Sequence, residues 1–137
     1  MSTPLINQTS KAVNEILQVE RGHVEAFNIP DLDKVLSYFA ENINGFSSTH
    51  NNRYKGREAL RKTFEYYLQK SKRIYYEIQD IEVQMLKGGE AAIATFYWKT
   101  APLEGTEEDI ITGRGTHVLE YQNGQWRIVH EHFSRAH

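Results

Sequence analysis

The sequence predicts an α+β fold, three helices followed by an antiparallel sheet, in one domain spanning residues 1–137. Three observations carry this. As far as Leu68, apolar residues recur at spacings of three and four, the helical period. From Arg73 onward the texture turns to β-branched and aromatic runs, which favour strands. Two turn signals, Lys87-Gly88-Gly89-Glu90 and Asn123-Gly124, divide those runs, so four strands link as a meander. Helices grouped apart from an antiparallel sheet pack on one of its faces.

The first helix runs from Thr9 to Asn28, where Val13, Ile16, Leu17, Glu20, Val24 and Phe27 form one stripe. Gly22 interrupts it without ending it, and Pro30 stops it. Asp31 is placed to cap a second, shorter helix whose face is Leu32, Val35, Leu36 and Phe39. The Asn- and Ser-rich stretch "NINGFSSTHNNRY" reads as a brief strand entering a turn. "GREALRKTFEYYLQK" returns to helical spacing through Leu60, Phe64 and Leu68, and the two hairpins complete the chain.

Composition excludes several classes of function. Sixteen basic against 18 acidic residues give a net charge of -2, with no field to capture a polyanion, so nucleic acid is not an expected partner. The cluster Arg53, Lys55, Arg57, Arg61 and Lys62 is interrupted by Glu58 and reads as a solvated face. Cysteine is absent, which rules out disulfides, thiolate zinc sites and thiol catalysis. Glu15, Glu20, Arg21 and Glu25 break the N-terminal apolar pattern, unlike a signal peptide, and no segment approaches about 18 apolar residues. A soluble, cytoplasmic chain with no membrane partner is the expectation.

The C-terminal hairpin holds His117 on one strand and His130 and His132 on the next. Strand alternation puts Trp126, Ile128, His130, His132 and Ser134 on one face, with Arg127, Val129, Glu131, Phe133 and Arg135 on the other. Both sets contain apolar residues, so both faces are expected to be covered, one of them by a partner. Alternation alone does not say which face lines a pocket.

The order of elements, with "YKGREALRKTF" and "GRGTHVLEYQNGQWRIVHEHFS", resembles the nuclear-transport-factor-2-like (NTF2-like) superfamily in its SnoaL-like and ketosteroid-isomerase-like branch. The ending, Gly-x-Trp followed by Val-His-x-His and Ser, is also similar to the association domain of calcium/calmodulin-dependent protein kinase II. The likeness covers nearly the whole chain. It implies a cystatin-like cone, with a strongly curved sheet around the helices, a pocket between them, and a homodimer formed through the outer face. Activity stays open, because this superfamily hosts isomerases, cyclases, dehydratases, transport factors and assembly hubs.

Pocket positions of the kinase domain match Tyr97, His117 and Phe133, which places Tyr97, His117, Leu119, Val129, Glu131 and Phe133 inside. His130 and His132 then fall at the outer seam. The arginines of that domain are absent at the matched positions, so its acidic-ligand pocket is not implied. Comparison with ketosteroid isomerase puts the catalytic carboxylate at Ser47, the oxyanion-side tyrosine at His23, and the second acid within about a residue of His117. A serine with no evident activator is too weakly basic to take a proton from carbon. The steroid-isomerase mechanism is therefore not expected.

The resemblance thus implies a small-molecule-binding protein, with His117 and Glu131 as catalytic candidates and His23, Tyr54, Tyr97 and Phe133 as ligand-binding ones. The chemistry expected is cofactor-free isomerisation, dehydration or cyclisation. His117 shuttles the proton, Glu131 orients it, and Tyr97 or Tyr54 donates to the oxyanion. Each residue also has a plainer reading. The His117/Glu131 pair can simply satisfy buried polarity, His23 can face solvent, Tyr54 can close the pocket mouth, and Trp98 and Trp126 read as packing anchors. His130-Glu131-His132 supplies only half of a metal site, and a subunit seam accounts for it, so no metal is expected. The alternative function is a non-catalytic ligand-sensing or oligomerisation module.

Overall fold

The computed structural model describes residues 5–70 and 74–136. Helix α1 (Leu5–Asn28) begins earlier than its periodicity suggests. It buries Ile16, Val19, Ala26 and Phe27, and Glu20 and His23 lie in the same buried stripe. Helix α2 (Leu32–Ser37) is capped by Asp31, whose side chain accepts from the Lys34 N–H at 3.1 Å. Phe39, expected on the face of α2, starts strand β1 (Phe39–Phe46) instead. The cause is a backbone bond from Ile128 N–H to the Tyr38 carbonyl, 3.0 Å, which draws the chain into the sheet at that point.

Strand β2 (Tyr54–Lys55), helix α3 (Arg57–Lys70), strands β3 (Ile74–Met85) and β4 (Ala91–Pro102), a single 3-10 turn (Glu107–Asp109), and strands β5 (Ile111–Gln122) and β6 (Gln125–Arg135) follow. The expected four-stranded meander is the larger part of a six-stranded sheet in the order β2-β1-β6-β5-β4-β3. All neighbours are antiparallel except β1 and β6, which run parallel, so the sheet is mixed rather than purely antiparallel. Among the described residues no helix is long and apolar enough to cross a membrane.

Three register shifts interrupt the sheet, one of them between Phe39 and Asn44 where β1 meets β6, and such irregularities bend strands. Between β5 and β6 the pairs Val118↔His130 and Leu119↔Ile128 leave Val129 as an extra residue. The alternation therefore changes phase at Val129, and Trp126 and Ile128 point to the same core as Glu131 and Phe133. Apolar residues in both alternation sets are a consequence of this bulge. They do not require a partner on the outer face, as uniform alternation had suggested. Between β3 and β4 the third shift lies around Asp80, whose positive φ of 53° marks the bend, and Ile78 and Ile81 both pack inward.

Candidate active site

The core side of the sheet carries a chain of ionisable side chains that ends at a cavity. His117 on β5 and Glu131 on β6 are direct cross-strand partners, and His117 Nε2 lies 3.0 Å from Glu131 Oε2. The other ring nitrogen, Nδ1, lies 2.7 and 2.9 Å from the two oxygens of Glu20 on α1. Glu20 and His117 are fully buried, and Glu131 is 6% exposed. Burial by itself lowers the pKa of His117, but the two carboxylates outweigh it and hold the ring at about 9. The imidazole is therefore protonated at neutral pH and donates from both nitrogens.

A second histidine behaves in the opposite way. His23, one helical turn after Glu20, has its pKa lowered to about 4, chiefly by burial, so it is neutral. Its Nε2 is 3.0 Å from the Tyr76 hydroxyl, and its Nδ1 stands 3.5 Å from Glu20 Oε1. Burial first, then Glu131 and Glu20, push the Tyr76 phenol well above its ordinary pKa, which keeps it a neutral donor.

The local sequence explains how this group is assembled. Glycines 113 and 115 share the inner face of β5 with His117. A Cβ on Gly115 would fall 2.4 Å from the Phe96 ring, and one on Gly113 2.5 Å from Trp98. The Gly-x-Gly spacing thus lets two aromatic rings of β4 lie across β5 beside the histidine, with the Phe96 ring centred 5.0 Å from that of His117. Gly45 on β1 pairs with Glu131, and a Cβ there would stand 2.1 Å from the Glu131 carbonyl oxygen. Only glycine admits so close an approach beneath the carboxylate.

Above Glu131 the helices and sheet enclose a cavity of about 100 Å³. Its walls are mainly apolar, with the rings of Phe27, Phe39, Phe64, Tyr76, Trp98 and Phe133 beside aliphatic side chains, and His23 and Glu131 are among its polar lining. Trp98 stacks on Phe133 with centroids 5.8 Å apart while its indole N–H donates to the Arg114 carbonyl. It is thus both an anchor and a wall. Toward solvent, Ser47, Thr49, Tyr67 and Arg135 contribute polar lining.

Several sequence-based assignments change here. Tyr97 is 57% exposed and points away from the cavity, because its neighbours Phe96 and Trp98 take the inner positions on β4. It is not a ligand-binding residue of this site and cannot donate to an oxyanion there. Tyr54 is 9% exposed and does not close the mouth. Its hydroxyl, buried without a hydrogen bond of ordinary geometry, lies near Glu131, and burial followed by that carboxylate raises its pKa. His23 is buried rather than solvent-facing, and Phe133 lines the cavity.

His117 stands behind Glu131 instead of lining the cavity, so Glu131 is the member of the pair that reaches the cavity. Ser47 has an imidazole neighbour after all, since its Oγ is 3.3 Å from His50 Nδ1, a nitrogen that also lies 3.0 Å from Thr49 Oγ1. Outside, His130 Nδ1 is 2.9 Å from Asn44 Oδ1 and His132 packs on Phe46, so both serve the β1–β6 contact. Within the basic cluster, Arg57 donates to the Phe39 carbonyl and Arg61 pairs with Asp33 at 2.6 Å. Among the described residues no three His, Asp or Glu side chains gather as a metal site. Two residues were missed from sequence: Glu20, although a carboxylate inside an otherwise apolar helical stripe was its signal, and Tyr76, one aromatic among several in the β3 run.

A family model for the SnoaL-like domain matches residues 16–137. No curated protein matches the chain. Among solved structures, an NTF2-like protein of unknown function from Pseudomonas putida superposes with a TM-score of 0.83 at 24% identity, covering 91% of this chain and 87% of that one. A protein from Novosphingobium aromaticivorans, provisionally named a scytalone dehydratase, gives 0.80 at 13% identity over 97% and 89%. A provisionally named calcium/calmodulin-dependent protein kinase II association domain from Xanthomonas campestris gives 0.74 at 20% over 89% and 86%. At these identities the likeness establishes the fold, a cystatin-like or NTF2-like α+β arrangement with a curved six-stranded sheet.

Proposed function

Because the chain belongs to the SnoaL-like domain family, we propose that it takes a small organic molecule into the aromatic cavity and moves a proton on it, without a cofactor. The observation that supports this most strongly is the buried sequence Glu20–His117–Glu131 ending at the cavity. A core needs no such arrangement for stability, since apolar residues of equal volume serve as well or better than buried ion pairs.

In this reading Glu131 is the base that faces the ligand. His117, protonated and gripped by Glu20, fixes the carboxylate through Oε2, and the Tyr54 hydroxyl lies near the same carboxylate. Glu131 takes a proton from a carbon next to a carbonyl, giving an enolate and a carboxylic acid. Returning that proton to another carbon of the ligand is isomerisation, and giving it to a β-hydroxyl, which the enolate expels as water, is dehydration and restores the carboxylate. The donor to the developing oxyanion is Tyr76, backed by neutral His23, a role the sequence had given to Tyr97 or Tyr54. Size narrows the ligand. A dry cavity of about 150 Å³ accommodates benzene, so the smaller interior of about 100 Å³ holds one ring at most, with any substituent reaching toward the open end, and does not hold a steroid.

The partner is proposed to be a second copy of the chain, seated on the outer face where Tyr97 and the half-buried Ile93 and Val118 lie. The test of the ligand reading is a thermal-shift screen of one-ring enones, lactones and hydroxy acids against wild type and Glu131→Gln. A ligand at 100 times its Kd stabilises by about 2.7 kcal/mol. The expected result is a hit whose shift shrinks in Glu131→Gln. Hits that shift both proteins equally would place the ligand elsewhere.

A further inference from the structure

The cavity has two chemically different ends, and one strand connects them. On β6, Glu131, Phe133 and Arg135 alternate onto the same inner side, and all three line the cavity. Their register is regular, with Glu131 opposite His117, Phe133 opposite Gly115 and Arg135 opposite Gly113. At roughly 3.3 Å per residue, the α-carbons of Glu131 and Arg135 lie about 13 Å apart along the strand. Glu131 is buried at the deep end and Arg135 is exposed at the solvent end, with Phe133 between them. Strand β1 runs parallel to β6, pairing Gly45 with Glu131 and Phe46 with His132, so the residues after it continue toward the end where Arg135 stands. Ser47 and Thr49 line the cavity there, their hydroxyl oxygens 3.2 Å apart, and Thr49 donates to the Tyr67 hydroxyl of α3 at 3.1 Å. Hydroxyls and a guanidinium thus share the open end.

The Arg135 side chain makes no ion pair or hydrogen bond among the described residues, whereas Arg57, Arg61 and Arg127 are each engaged. A guanidinium presents paired donors in one plane, which match the two oxygens of a carboxylate, and neighbouring hydroxyls add single donors. The interior holds one ring, and a substituent on that ring reaches the open end. We propose that this end is a carboxylate subsite. The ligand is a one-ring ketone or enone bearing a carboxylate across the ring from its carbonyl. Its carbonyl end faces Glu131 and Tyr76, and its carboxylate rests on Arg135 and the hydroxyls of Ser47 and Thr49. Distance and solvent screening separate that carboxylate from Glu131, which stays free to act as the base. This rests on the proton-transfer reading of the cavity, and it adds the class of molecule and the orientation in which it enters.

Calorimetry at neutral pH tests it with three probes: cyclohexanone, cyclohexanone bearing a carboxylate at the ring carbon opposite the carbonyl, and the carboxamide of that acid. The carboxylate should bind at least about fivefold tighter than its near-isosteric carboxamide. In Arg135→Gln the two should bind about equally, while Arg135→Lys, which keeps the charge but not the planar fork, should retain part of the preference. Circular dichroism checks that the variants are folded. If they are not, the preference in wild type must shrink at raised ionic strength, as an ion pair near solvent requires, and a preference unmoved by salt counts against the subsite. Equal binding of carboxylate and carboxamide by wild type, or a preference that survives Arg135→Gln, overturns the carboxylate subsite and leaves the cavity standing as a ring site. Cyclohexanone reports that ring site alone, and failure of all three probes to bind contradicts the ring site and the subsite together.

Discussion

His117 keeps its proton because it lies between two acids, and that geometry has a pH signature. Its folded pKa of about 9 exceeds the ordinary 6.5, so its contribution is fully present below pH 6.5 and is lost as pH rises through 9. Integrated over that interval the loss is on the order of 3 kcal/mol. His23 works in the other direction. With a folded pKa of about 4, it loses stability as pH falls from 6.5, where the unfolded chain takes up the proton first. Urea unfolding should therefore show greatest stability near pH 6.5. His117→Gln should abolish the alkaline limb alone, and persistence of that limb in the variant would contradict the assignment. Glu20→Gln removes the partner of a buried cation and should cost about 3 kcal/mol, measured the same way. These residues were unequally legible. Glu20 showed as an acid within an apolar stripe, and His117 and Glu131 stood on adjacent strands. Which of the two reached the cavity depended on helix and sheet meeting in three dimensions, which spacing does not encode.

Strands position the site more than helices do, and one extra residue in β6 decides its character. Without the bulge at Val129, continued alternation from Trp126 and Ile128 would turn Glu131 outward and His130 into the core. No glycine or proline marks that position, so the phase change was not legible in sequence. The hairpin turns were, because Gly88, Gly89 and Gly124 stand at positive φ where the turns require it. The pairing of β1 with β6 was also hidden, since it joins segments some 90 residues apart in register and in parallel. Gly45 belongs to this contact. Gly45→Ala should push β1 from β6, displace Glu131 and cost about 1–3 kcal/mol, with ligand affinity lost to a greater extent than stability. Calorimetry alongside unfolding separates the two. Unchanged affinity would show that Glu131 does not depend on the close approach.

At the scale of the molecule, the sequence reached the α+β class and its family because helical and strand periods are separated along the chain. The added strands and the mixed sheet came only from long-range pairing. Assembly is where the two functional alternatives part. The account predicts a species of two chains by mass photometry, with Tyr97→Glu shifting it toward one, and a ring of many subunits would favour the oligomerisation module instead. The central claim concerns Glu131 as the group that takes a proton from a bound ligand, and solvent-deuterium exchange tests it most directly. With the screened ligand in D₂O, proton NMR should show one C–H position exchanging in the presence of wild type, and exchange slowed at least 100-fold by Glu131→Gln with the ligand still saturating. Saturating ligand with no exchange at any position in wild type, or equal exchange in the variant, would contradict it.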